Sequence, residues 1–118
     1  MLGNGCRSEL ELLGFTYIFS DPRLPKPRLQ VPVTAGGRQY FVDVAWPEVL
    51  LAVELDGAAY HGSADAREHD LRRDADLARI GWLTVRITYE RLISEPQTIL
   101  EELAGIIAVR RAQLGRAS

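Results

Sequence analysis

Thiol and imidazole chemistry have little to work with in this chain. Its 118 residues include one cysteine, Cys6, and two histidines, His61 and His69. A single cysteine forms no internal disulfide and cannot build a zinc site. No run of about 18 apolar residues is present, which excludes a membrane-spanning helix. The first residues lack a basic-then-apolar targeting signal, so the expected location is cytoplasmic. There is no surplus of positive charge either. The net charge is −2, and a nucleic-acid binder usually carries a basic excess. That objection is softened by the kind of base present. Thirteen of the fourteen basic residues are arginine, the residue suited to two-pronged contact with phosphate. Glycine-rich phosphate loops, CxxC and HExxH are missing, and no Ser-His-Asp order can be argued from spacing. Internal repeats and low-complexity linkers are also missing. A single domain spanning 1–118 is the expectation, with 47% hydrophobic and 25% charged residues as in an ordinary globular chain.

The informative segment runs from Val42 to Gly57. Two apolar runs, broken by Trp46-Pro47-Glu48, read as a β-hairpin. A loop of two or four residues pairs Ala45 with Leu50 and Asp43 with Ala52. Glu54 then lies diagonal to Asp43 on the same face, within about 7–8 Å, and Asp56 follows along that face. The opposite face carries Val42, Val44, Leu51, Val53 and Leu55 as a core surface. Three acids gathered around two alanines repel one another unless they are solvated, protonated or holding a cation.

Around the hairpin, Ser8-Glu9-Leu10-Glu11 begins a helix over about 8–20 that Gly14 to Tyr17 weakens. Three prolines mark Asp21 to Arg28 as loop. Leu29 to Val33 reads as a short strand, Ala35-Gly36-Gly37 as a turn, and Arg38 opens the hairpin. Ser63 caps a helix over roughly 64–80 with an apolar stripe of Ala64, Leu71, Ala75 and Ala78. Gly81 ends it. Trp82 to Thr88 reads as a strand, and the crossover helix is long enough to join two parallel neighbours. Ser94 and Gln97 read as a capping box for a last helix of about 95–113 that buries Ile99, Leu103, Ile106 and Ile107. The expected architecture is α/β, a mixed sheet with helices on both faces.

Each candidate site has an ordinary structural explanation beside a functional one. Asp43 and Glu54 are strand acids that need partners. These are Arg38 or Arg86 in a structural pairing, or a hard cation such as Mg²⁺ in a metal site. Asp56 begins an Asp-Gly turn or joins the acids. His61 is a loop histidine or a general base near a metal-bound water. Arg67, Asp70, Arg72, Arg73 and Asp74 read as a solvated, ion-paired helix face. Arg86, inside a strand, needs an anion, either a carboxylate or a substrate phosphate. His69 reads as a surface residue, and Cys6 as incidental.

The strings Val42-Asp43-Val44-Ala45-Trp46-Pro47-Glu48, Ala52-Val53-Glu54-Leu55-Asp56-Gly57-Ala58-Ala59-Tyr60-His61, Asp70-Leu71-Arg72-Arg73-Asp74-Ala75 to Gly81-Trp82, and Val85-Arg86-Ile87-Thr88 resemble the DUF559 family. That family is similar to the very-short-patch-repair (Vsr-like) endonucleases of the PD-(D/E)XK, restriction-endonuclease-like superfamily. The resemblance covers the chain from Ser8 through the last helix. It implies a mixed four-stranded sheet flanked by helices, and metal-dependent hydrolysis of phosphodiesters. Asp43 matches the motif acid of the first hairpin strand, and Glu54 the second acid, with the Leu55 carbonyl as a further metal ligand. Glu11 matches the acid of the N-terminal helix, with Glu9 as fallback. His61 matches the histidine after the hairpin, Arg73 and Asp74 the Arg-Asp helix, and Arg86 the following strand. One departure bears on mechanism. The superfamily's lysine, two residues after Glu54, is here Asp56, which can neither offset phosphate charge nor lower a water's pKa.

Two function classes follow. The first is a Mg²⁺- or Mn²⁺-dependent endonuclease acting on DNA, in which Asp43 and Glu54 bind metal and Glu11 or Asp56 assists. His61 acts as base or proton shuttle, and Arg73 and Arg86 hold phosphate. Its small, acidic domain would rely on a second copy or a partner protein for specificity. The second class is an inactive nuclease-fold module that binds nucleic acid or protein. RNA as the substrate is a further alternative.

Overall fold

A computed structural model describes the backbone of residues 2–56 and 64–117 and the side chains of residues 9, 10, 12–56 and 64–115. Helix α1 spans Leu2–Phe19, β1 Arg28–Ala35, β2 Arg38–Trp46 and β3 Leu51–Asp56, with a 3-10 turn at Pro47–Val49 between β2 and β3. Helix α2 spans Ala64–Arg79, β4 Leu83–Thr88, α3 Tyr89–Ser94 and α4 Pro96–Ala117. The four strands form one sheet in the order β1-β2-β3-β4. The first three are antiparallel, and β4 lies parallel to β3 after the α2 crossover. This is the mixed α/β sheet expected from the sequence.

Two layers of core enclose the sheet. Ile18 and Phe19 of α1, Leu92 of α3, and Ile99, Leu100, Leu103 and Ile107 of α4 pack with Val44, Trp46, Leu51, Val53 and Ile87. On the other side Leu77 of α2 packs with Val33, Ala35, Tyr40, Val42, Ala45 and Ala52. The β1–β2 turn has Gly36 and Gly37 at φ 60° and 76°, the double left-handed geometry of a tight hairpin. Space where a Gly36 Cβ would stand is taken by the Asp76 carboxylate of α2.

Several expectations need correction. The hairpin loop holds four residues, Pro47 to Leu50, so Ala45 faces Ala52 rather than Leu50. Continuing that register sets Asp43 across from Glu54, not diagonal to it. Val42 does not share a face with Val44. Tyr40 and Val42 face α2, whereas Val44 and Trp46 face the other layer, so the alternation slips once, at Asp43. Helix α1 continues through Gly14, because packing against α3 outweighs local propensity. A Cβ at Gly14 would stand 2.3 Å from the Leu92 carbonyl oxygen. Ser94 closes the unforeseen helix α3 instead of capping α4. Its hydroxyl donates to the Glu90 carbonyl at 3.0 Å, while Thr88 caps α3 by accepting from the Arg91 N–H at 3.1 Å. In α4, Leu100 joins the buried set and Ile106 is only half-buried. The stripe expected on α2 is also overturned: Ala64, Leu71, Ala75 and Ala78 are exposed, and Leu77 is the buried apolar contact.

Candidate functional site

Helix α2 turns a charged stripe toward the sheet. Asp70, Arg73, Asp74 and Leu77 recur at helical spacing and are half-buried or buried, while Arg67 and Arg72 are exposed. The solvated face expected for this helix therefore holds for its outer arginines and fails for these inner charges. Opposite them, β3 presents Glu54 and β4 presents Arg86, paired in register.

Glu54 is the buried charged residue of the core, 2% exposed. Its Oε1 forms an ion pair with a guanidinium nitrogen of Arg73 at 3.4 Å but has no hydrogen-bond partner. Arg73 Nε and Thr84 Oγ1, buried on the same side of the sheet, also make no hydrogen bond. Orphaned buried polar atoms are costly and call for a water or an ion. Burial pushes the Glu54 carboxyl up to about 7; Arg73 pulls against this and neighbouring Asp43 adds to it.

Asp43 stands where the β2–β3 ladder stops. Pairing ends at Val44 with Val53. Beyond it the Asp43 Oδ2 accepts the Leu55 backbone N–H at 3.0 Å, and Oδ1 accepts from the Gln30 amide at 3.2 Å. Carboxylate thus replaces carbonyl at the fork between two strands. Arg86 is gripped by Asp74 through two hydrogen bonds of 2.8 and 3.2 Å. It also meets Asp56 at 3.3 Å and Asp70 at 3.8 Å. Burial opposes its charge, yet these carboxylates hold its pKa above the ordinary arginine value.

The structure therefore brings together six of the residues singled out in the sequence: Asp43, Glu54, Asp56, Arg73, Asp74 and Arg86. For Leu55, the N–H is the group tied to the site. Glu9 is exposed on α1, whose core residues pack on the face of the sheet away from α2. The Glu11 side chain and His61 lie outside the described residues. Sequence reasoning placed Asp70 on a solvated face and missed Gln30. The 70–73–74–77 spacing could have revealed the first, whereas Gln30 owes its place to a backbone conformation with no sequence mark.

With every group ionised, the five carboxylates exceed the two guanidiniums by three charges. Among the described residues no group of three or more His, Cys, Asp or Glu side chains is arranged to hold a metal. What the site offers is two acids and an orphaned oxygen. That set fits a cation such as Mg²⁺, which keeps several waters and takes one or two carboxylates.

Residues 23–107 match the family model described as REase_MTES_1575, a restriction-endonuclease-like family of DUF559 type. The chain belongs to this family. An uncharacterized protein of Mycobacterium tuberculosis, found in strains CDC 1551 / Oshkosh and H37Rv, is 33% identical over 88 residues, 74% of this chain and 32% of that protein. An uncharacterized protein of Haemophilus influenzae strain Rd is 28% identical over 93 residues, 79% of this chain and 64% of that one. The chain spans about a third of the mycobacterial protein's length. The REase_MTES_1575 match covers every strand, α2, α3 and most of α4, and so includes the whole charged site. No helix among the described residues is long and apolar enough to cross a membrane.

Proposed function

We propose that this chain is a Mg²⁺- or Mn²⁺-dependent endonuclease that hydrolyses DNA phosphodiesters at the fork between β2 and β3. The carrying observation is Glu54, a buried carboxylate beside Asp43 with an oxygen that makes no hydrogen bond. Asp43 and Glu54, with the Leu55 carbonyl, would hold the metal. When bound, such an ion lowers the pKa of a water and offsets phosphate charge. Asp43 is oriented by two neutral donors, the Gln30 amide and the Leu55 N–H. Arg73 reaches Glu54 from α2 and supplies a positive charge that Asp56, at the superfamily's lysine position, cannot. On this reading Arg73 meets the phosphate. Arg86, held by three acids, fastens α2 to the sheet. His61 is assigned the proton transfer, and Glu11 a supporting acid.

DNA as substrate is supported by the resemblance to Vsr-like endonucleases, without their mismatch specificity. The net charge of −2 favours weak binding by the domain alone and specificity from a second copy or partner protein. The whole protein's activity belongs to the same proposal, since the chain matches about a third of the mycobacterial relative.

A second reading has its own support. Arg73 already places a cation against Glu54, as an inactive binding module would after losing its metal. Cleavage of supercoiled plasmid and single-stranded DNA with Mg²⁺ or Mn²⁺ separates the two. The nuclease reading expects metal-dependent nicking that Asp43→Ala and Glu54→Ala both abolish. Absence of cleavage, or cleavage that survives both substitutions, moves the assignment to the module.

A further inference from the structure

Gln30 sits mid-strand in β1 with φ 50°. A left-handed conformation is costly for any residue with a Cβ and is rare inside a strand. Such strain persists where surrounding structure enforces it, often at functional sites. The strand's own pattern shows what the conformation does. Leu29 lines a cleft with Phe15 and Phe19 on the α1 side, whereas Val31 and Val33 pack on the α2 side. Two residues apart, they should share a face. β1 therefore reverses its faces at Gln30.

The neighbouring strand makes the same reversal at the same level. Leu29 pairs with Val44 and Val31 with Val42, so the register is unbroken across the step, and Gln30 stands opposite Asp43. Its amide Nε2 donates to Asp43 Oδ1 at 3.2 Å. With the Leu55 N–H on Oδ2, each carboxylate oxygen carries one fixed donor, and a carboxylate oxygen has two lone pairs. An arginine or lysine in that place would cancel the charge of Asp43. An amide orients the carboxylate and leaves its charge available to a cation, as hydrogen-bonded outer partners of metal ligands do.

We propose that Gln30 is a positioning residue: its strained backbone turns the paired strands over at Asp43, and its amide fixes that carboxylate for a divalent cation. This rests on the metal-site reading given above. The strain would then be retained for the site rather than for the fold.

The test compares the parent chain with Gln30→Gly, Gln30→Met and Asp43→Ala, using Mn²⁺ alone as the probe. Melting is followed across a Mn²⁺ titration, without DNA. Glycine accepts φ 50° freely, so Gln30→Gly should melt at or above the parent temperature without metal. Methionine keeps the length and loses the donor. Both variants should need about 10- to 100-fold more Mn²⁺ to reach half the metal-induced shift, and Asp43→Ala should show no shift. Unchanged Mn²⁺ midpoints in both Gln30 variants, beside a lost response in Asp43→Ala, would overturn the positioning role and leave the metal site standing. A parent chain that does not respond to Mn²⁺ would overturn the metal site and the positioning role together. Should the methionine variant fail to fold, the glycine variant carries the comparison by itself.

Discussion

Glu54 sets a pH dependence opposite to that of most carboxylates. Its folded-state pKa, about 7, lies above its ordinary 4.5, so the folded state holds the proton more tightly than the unfolded chain. The stability this contributes is full below pH 4.5 and is lost as pH rises through 7. A displacement of this size corresponds to about 3 kcal/mol. Urea unfolding at pH 5 and pH 8 should therefore show the protein weaker at pH 8, and Glu54→Gln should flatten the difference. An unchanged pH profile in Glu54→Gln would show that Glu54 is not its source. The acids of the hairpin were legible in the sequence because strand acids beside alanines are rare. Gln30 was not legible, since a left-handed residue leaves no compositional trace unless it is glycine or asparagine. Asp70 was misread because a charged helix stripe looks the same facing water or facing a charged sheet.

Elements were easier to find than to join. The hairpin, the crossover helix, its Gly81 ending and the parallel final strand were readable from period and turn chemistry. Register was not, because loops of two and four residues keep the same faces and differ by two in pairing. Helix α1 shows the other limit. Its middle, Gly14 to Tyr17, reads as a poor helix, yet it is the surface on which α3 rests. Gly14 is there for close approach: the Leu92 carbonyl oxygen lies 2.3 Å from where a Cβ would stand. Gly14→Ala should force the two helices apart. The expected cost is about 1–3 kcal/mol, the usual size of an overpacking penalty, despite alanine's better helix propensity. Thermal melting checks this; a melting temperature at or above the parent's would mean that α1 shifts without strain.

On the scale of the whole molecule, the two sides of the sheet are built from different materials. One side is a continuous apolar core under α1, α3 and α4. The other has a small apolar cluster and a field of charge under α2. Binary patterning foresees the first and underestimates the second, because a charged interior is stable only through pairings that a linear pattern does not contain. One end of the sheet is tied together by a single side chain. Arg110 of α4 donates to the carbonyls of Val49 at 3.0 Å, Leu50 at 3.3 Å and Gly81 at 2.8 Å, and the Leu50 carbonyl also accepts the Leu83 N–H at 2.9 Å. The hairpin turn, the α2–β4 corner and the last helix thus meet at one guanidinium. Local opening of any of them takes this shared donor from carbonyls in the others. In hydrogen-exchange terms they form one cooperative unit: the Leu83 amide should exchange with solvent as slowly as the central strands. Arg110→Met should split that unit, speeding exchange at Leu83 while the amides of Val44 and Val53 keep their protection.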